Sequence, residues 1–377
     1  MAHVTVLATE IGPRIAGEES ADQAADYIAE QFGSYGYEVQ RQVVELISFK
    51  DHGSTLELLS AGGSIEGRAL NYSPPGEVEG RVIPAGIGDP ADLPDEGFQG
   101  GIALIRRGGE IRFRDKVLAA AEAGASAVII YNNQSGPFRG DLEELMPVPV
   151  LGLDGESGQN LADQAARDPV QVRVSVEAEI IERATANVVA ERRRQGTRAL
   201  VIGAHYDTVK DSPGGNDNAS GTAVVLELAR VLSTYALPDD LTLYFVAFGA
   251  EETGLHGSRR FVDRLSQQQR QSLTAMLNYD MIGVGEVLAV GGSADLSGLA
   301  VQLAQEQGWT PQRLGAEIAH RSDHAPFVAA DIPVLMFHAP RDPHYHTERD
   351  TPDRVQPGHL ARLGRLGLVV IQRLIAD

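Results

Sequence analysis

Between residues 21 and 32, ADQAADYIAEQF places Ala24, Ile28 and Phe32 at four-residue intervals behind the acidic, serine-bearing stretch GEES. That spacing predicts an amphipathic helix, which Gly33 and Gly36 should stop. The alternation in YEVQRQVVEL predicts a strand after it. From about residue 49 the texture changes to short β-prone pieces broken by Gly and Pro, as in LNYSPPGEVEG and IGDPADLPDEG. Within this block GGIALIRRG and SAVIIYNN read as strands, FRDKVLAAAEAGA as a helix, and VPVLGLDGESGQNLADQ as a strand turning into a helix. VQVRVSVEAEII alternates as a closing antiparallel strand.

Beyond residue 184 strand and helix patterns take turns. NVVAER, RALVIGAHYD, LTLYFVAFGAEE, LTAMLNYDMIG and IPVLMFH read as strands. ASGTAVVLELARVLST, SRRFVDRLS, DLSGLAVQLAQEQG and GHLARLGRLGLVVIQRLI read as helices. Such alternation predicts an α/β fold with a mixed, largely parallel central sheet covered by helices on both faces. The β-rich block then reads as an insert: residues 1–48 and 181–377 make one discontinuous domain, and 49–180 the other.

Composition narrows the functions open to such a fold. The 377 residues carry 32 Lys and Arg against 52 Asp and Glu, a formal charge of -20, which repels nucleic acid and anionic membrane surfaces. The basic run RRRQG at 192–196 is short and flanked by acids, and is expected as a solvated turn. No cysteine is present, so disulfides, thiolate metal sites and a cysteine nucleophile are excluded, and any metal falls to His, Asp or Glu. The opening MAHVTVLATEIGPR has neither a basic leader nor a continuous apolar run, and no later stretch approaches the roughly 18 apolar residues of a membrane span. A soluble chain without membrane or nucleic-acid partners is expected.

Polar residues collect where predicted strands end, the place where open α/β sheets put their sites. His205 and Asp207 follow ALVIGA, Glu251 and Glu252 follow LYFVAFGA, and Asp280 follows AMLNY. His344 and His346 follow PVLMF and a short loop, and Asp217 sits in the turn PGGNDNASG ahead of a helix. Taken singly, each has a plain explanation: a capped turn, a solvated acidic loop, a helix cap. Their joint placement at the ends of one sheet points instead to a metal site of imidazole and carboxylate donors. His205, Asp217, Asp280, one of the two glutamates and one late histidine suffice for two zinc ions sharing a bridging carboxylate. The adjacent glutamates then divide the work, one ligating while its neighbour faces a water as general base.

The segments GAHYDTV, GGNDNASG, FGAEETGLHGS, NYDMIG, RSDHAPF and YHTERDTPD, in this order, resemble the dizinc aminopeptidase family, whose relatives include glutamate carboxypeptidase, the transferrin receptor ectodomain and the glutaminyl cyclases. The resemblance implies a three-layer zinc exopeptidase fold. It implies that His205 and Asp280 hold one zinc, Glu252 and His346 the other, and Asp217 bridges them, with Glu251 as general base. Asp207 matches the acid that orients the first histidine, and Tyr345 the tyrosine that donates to the tetrahedral oxyanion in several family members. His344 is the rival of His346, which the HT and DT of the last segment favour; His256, His324 and His338 are expected as non-ligands. GGIALIRRGGEIRF, KVLAAAEAGASAVIIYNN and VPVLGL resemble a protease-associated domain, with Ile111 near the position where many secreted versions carry cysteine.

The function implied is removal of N-terminal residues from peptides with a free N-terminus, with secretion expected by family analogy and a cytoplasmic location left open. A carboxypeptidase would instead need Arg321 and Arg341 for a substrate carboxylate. A metal-free binding homologue and a glutaminyl cyclase are the further alternatives.

Overall fold

The run RALVIGAH forms the strand Arg198–His205, buried along nearly its whole length and flanked on both sides by parallel neighbours, Leu241–Phe248 and Leu273–Tyr279. The computed structural model describes residues 1–60, 62–109, 111–192, 197–315, 318 and 321–376; the basic run 192–196 therefore lies, except for Arg192, outside the described residues. The chain divides into two compact units, Met1–Leu46 with Arg183–Asp377, and Ile47–Glu182.

The first unit is built on an eight-stranded sheet with the order Glu38–Asp51, Ala178–Arg192, Leu241–Phe248, Arg198–His205, Leu273–Tyr279, Val334–His338, Ala289–Gly292, Gln312–Arg313. Its central four strands run parallel; Ala178–Arg192 and Ala289–Gly292 pair antiparallel at the flanks. Pairing of His205 with Phe248 and of Tyr279 with Phe337 brings the carboxyl ends of the parallel strands to one rim. Side chains alternate across the strands. Leu200, Ile202 and Ala204 pack with residues of the helices Glu19–Ser34, Gly221–Leu232, Ala294–Glu306 and Pro357–Ala376. Ala199 and Val201 face the opposite way, against Phe261 of His256–Arg264 and Phe327 of Ala325–Ala329. This is the three-layer α/β arrangement that the sequence pattern implies.

Three local differences have physical reasons. The first long helix runs through Gly33 to Ser34, because the turn needing left-handed backbone comes only at Gly36, with φ of 86°. Residues 2–11, unassigned from sequence, form helical turns that bury Val4, Leu7 and Ala8 in the core. The closing strand of the insert splits at Glu177 into Gln171–Val176 and Ala178–Arg192. There the Glu177 amide donates to Ser54 Oγ and its carbonyl accepts from His52, so its backbone is engaged by a turn.

The second unit holds its own eight-stranded sheet, with a parallel run through Gly76–Pro84, Ile102–Arg106, Ala127–Tyr131 and Val150–Leu153. Helices Phe113–Glu122 and Gly155–Ala165 belong to it, the latter capped by Asp154, whose side chain accepts from the amides of Glu156 and Ser157. Among the described residues no helix is long and apolar enough to cross a membrane.

Candidate metal centre

At the rim where the parallel strands end, Asp217 stands between two histidines. Its Oδ1 lies 3.2 Å from His205 Nε2, and its Oδ2 lies 3.3 Å from His346 Nε2. His205 Nε2 is also 3.3 Å from Asp280 Oδ1, and His346 Nε2 is 2.9 Å from Glu252 Oε2. Two donor triads follow, His205 with Asp217 and Asp280, and Asp217 with Glu252 and His346, each with donor atoms within 4.8 Å of one another. His205, Glu251 and Glu252 meet the same limit. Each of the sequence-predicted ligands is therefore brought to one place, with Asp217 common to both triads.

The surrounding backbone is held by buried polar side chains. Asp350 accepts hydrogen bonds from the amides of Asn216 (2.7 Å) and Asp217 (2.9 Å), fixing the turn from below. Asn218, joined to Asp217 by a cis peptide bond, bridges that turn to its helix and to the next strand, accepting from the Gly221 amide and donating to Tyr279 O. Asp207 lies beneath the glutamates, accepting from the amides of Glu251 (3.0 Å) and Glu252 (3.2 Å). Toward His205 Nδ1 it presents its backbone carbonyl at 3.2 Å and its carboxylate at 3.7 Å. Ala250, buried and at φ of 60°, turns the chain sharply out of the strand so that Glu251 enters the site.

Arg14 completes the support. Fully buried, it donates to the carbonyls of Leu7, Gly12, Tyr206, Pro213 and Gly214, clamping the segment between Asp207 and Asp217. Gly214 must be glycine there: its φ is 62°, and a Cβ would stand 2.6 Å from the Arg14 guanidinium. Burial pulls the Arg14 pKa down to about 10, and the facing carboxylates of Asp207, Asp350 and Asp217 oppose that fall.

The cluster is electrostatically unbalanced by itself. Burial pushes the Glu251 carboxyl well above its usual range, with Asp323, Asp280 and Glu252 adding repulsion, and raises Glu252 to about 7. Burial opposes charge on His346, yet its hydrogen bonds to Asp217 and Glu252 raise it to about 9. Against the effect of burial, hydrogen bonds with His205 and then His346 keep Asp217 well below the ordinary carboxylate value. Glu252 Oε1 is buried without a hydrogen-bond partner. Leaving buried acids unpaired costs several kcal/mol each, and divalent cations bound by imidazole nitrogen and carboxylate oxygen would remove that cost. The donor set fits zinc.

Around this floor lies a cavity of about 270 Å³. Met281, Ile318 and Met336 form an apolar wall, and Arg321, His338, Arg341, Asp342 and Tyr345 line the rest. Tyr345 is 50% exposed and stacks on His346 with ring centroids 3.7 Å apart. Burial and the facing carboxylates raise its phenol pKa, keeping it protonated near neutrality. Of the rival histidines, His338 Nδ1 meets Asp280 O at 2.8 Å, His324 Nε2 meets Ile318 O at 2.8 Å, and His344 belongs to neither triad. Sequence reasoning missed Arg14, Asp350 and Asp323. The last is wholly buried, its pKa raised by that burial to about 7. Asp323 and Asp350 lay in the segments RSDHAPF and YHTERDTPD, and Arg14 in the helix-opening IGPRIAGEES, where nothing local marks a charge as buried.

The sequence model of peptidase family M28 matches residues 187–371, and that of the PA domain residues 73–161. Aminopeptidase YwaD of Bacillus subtilis (strain 168) is 33% identical over 393 residues, which span 96% of this chain and 81% of the relative. Among solved structures, an aminopeptidase from Aneurinibacillus sp. strain AM-1 superposes with a TM-score of 0.80 at 34% identity, over 98% of this chain and 92% of that one. BSAP, a zinc aminopeptidase from Bacillus subtilis, superposes with a TM-score of 0.67 at 30% identity, over 99% and 94% of the two chains.

Proposed function

The chain belongs to peptidase family M28, and on that footing we propose that it is a zinc-dependent aminopeptidase releasing N-terminal residues through a two-zinc centre with Glu251 as general base. The observation that carries this reading is Asp217, whose two oxygens face two different histidines. His205 and Asp280 would hold one ion, Glu252 and His346 the other, and Asp217 both. Bound there, zinc supplies Lewis acidity that makes a water more acidic and a peptide carbonyl more electrophilic.

The remaining work falls to the chain's own side chains. Glu251 takes the proton of the attacking water and returns it to the leaving amine. Asp207 holds the glutamate pair through their amides and orients His205. The Tyr345 phenol donates to the oxyanion of the tetrahedral intermediate. Acidic surroundings favour a substrate α-ammonium, in keeping with the relatives being aminopeptidases.

A leucine-rich octapeptide, offered to the zinc-loaded protein with both ends free, N-acetylated or C-amidated and followed by mass spectrometry, tests the reading. Cleavage should stop on N-acetylation and survive amidation. Loss only on amidation would replace it with a carboxypeptidase. Elemental analysis should give two zinc ions per chain; none would revive the metal-free binding homologue.

A further inference from the structure

We infer that Arg321 and Arg341 form a carboxylate subsite, which makes short peptides with a free C-terminus and an apolar N-terminal residue, dipeptides above all, the preferred substrates. The inference rests on the aminopeptidase reading and deepens it. Both residues line the cavity that contains His205, Asp217, Glu251 and Asp280. In a chain with 20 more acidic than basic residues, neither guanidinium has an ion pair or hydrogen bond among the described residues.

The natural internal partner for Arg341 is its neighbour Asp342, and that carboxylate is already committed. Its Oδ1 accepts from the His344 amide, and its Oδ2 accepts from Asn216 Nδ2, each at 2.9 Å. The second bond pins the loop carrying Arg341, Tyr345 and His346 to the Asp217 turn, so the position of Arg341 is set relative to the metal ligands. Arg341 itself stands at φ of 74°, an unfavourable backbone for a non-glycine residue. Arg321 follows Ile318 of the apolar wall, its amide donating to the Ile318 carbonyl at 3.1 Å.

The cavity thus has an acidic, metal-binding floor, an apolar wall containing two methionines, and a cationic rim. A dipeptide has the matching sequence of groups: an α-ammonium, an apolar side chain, a peptide carbonyl and a carboxylate. The volume of about 270 Å³ falls below the roughly 300–1,000 Å³ of pockets for drug-sized ligands, a size suited to the first one or two residues of a peptide, with any further residues extending out of it. Methionine walls adapt their shape to leucine, methionine or phenylalanine. Since both arginines are exposed, their attraction for a carboxylate is screened by solvent and salt. It should therefore appear in KM, as binding shared by ground and transition states.

The test compares leucylglycine with leucylglycine amide, and the octapeptide with its amide, on the zinc-loaded wild type and on Arg321→Gln, Arg341→Gln and the double variant. Each KM ratio, amide over acid, is taken within one protein, so differences in folded fraction cancel. For the dipeptide the wild-type ratio should be about tenfold, the change that about 1.4 kcal/mol produces. It should fall toward one in the double variant, and toward one for the wild type in 0.5 M salt, where the Debye length is only about 4 Å. For the octapeptide it should be near one throughout, its C-terminus lying beyond the rim. A dipeptide ratio near one in the wild type, or one that the double variant leaves unchanged, overturns the subsite while aminopeptidase activity stands. Failure of the wild type to release leucine from any of these peptides sinks the activity, and the subsite with it.

Discussion

Glu251 and Glu252 are joined by one peptide bond and held by the two oxygens of one carboxylate, Asp207, yet only Glu252 approaches His346. The Glu251→Gln variant keeps the shape of the side chain and removes its basicity. It should bind zinc as the wild type does and lose about 10²- to 10⁴-fold in kcat; retained turnover would remove Glu251 from the base role. Protons and zinc compete for the ligands. Burial raises Glu252 from 4.5 to about 7, and the bonds to Asp217 and Glu252 raise His346 to about 9. Between pH 4.5 and 7 the folded, metal-free chain holds a proton on Glu252 that the unfolded chain has released. This contribution to stability is full below that window and lost as pH climbs through about 7. Zinc must displace the same proton, so its stabilisation runs the other way. The rise in Tm on zinc loading should widen from pH 6 to pH 9; an equal rise at both would contradict the assigned ligands.

Glycines at element ends show how closely the site is built into its scaffold. The helix Gly221–Leu232 begins where a Cβ would lie 2.2 Å from Tyr279 O and 2.5 Å from Asn218 Oδ1. Gly221→Ala must push the Asp217 turn away from the strand, and should cost about 1–3 kcal/mol in urea unfolding while weakening zinc binding. Gly298 offers the opposite case: it sits inside the helix Ala294–Glu306 with open space where a Cβ would go. Gly298→Ala should stabilise by about 0.4–1 kcal/mol and leave zinc affinity unchanged. Both glycines lie in stretches that read as helix from the apolar spacing. Only the contacts distinguish them, because close approach depends on which strand lies opposite.

Over the whole molecule, separate cores fill the two units. Residues such as Leu200, Leu226 and Val370 serve the first, and Ile105, Val128 and Leu151 the second. All the candidate ligands belong to the first. Calorimetry should resolve two transitions, of which zinc raises one, by about 4 kcal/mol of stability when free zinc is a thousandfold above its Kd; a single transition moved as a whole would show the units to be coupled. The architecture was legible in advance because periodicity and composition are written locally: alternation and helical spacing name the elements, and the lack of cysteine restricts any metal to His, Asp and Glu. Most of the ligand types were legible for the same reason, His205, Glu252 and Asp280 standing just past apolar runs, Asp217 in a turn ahead of a helix and His346 in a loop beyond an apolar run. Pairings between distant residues were not legible in any local pattern; that Asp217 and His346 share one centre came only as what the family resemblance implies. Arg14 reaches carbonyls at 206, 213 and 214, and Asp217 reaches His346, only because the sheet order places Arg198–His205 between Leu241–Phe248 and Leu273–Tyr279. His346 turns inward at φ of 60°, whereas His344, two residues before it, joins no ligand group among the described residues. The sequence by itself determined which groups are present and which elements carry them. The tertiary structure decided which of them meet, because long-range contact depends on strand order and packing, and neither is encoded in any local stretch of chain.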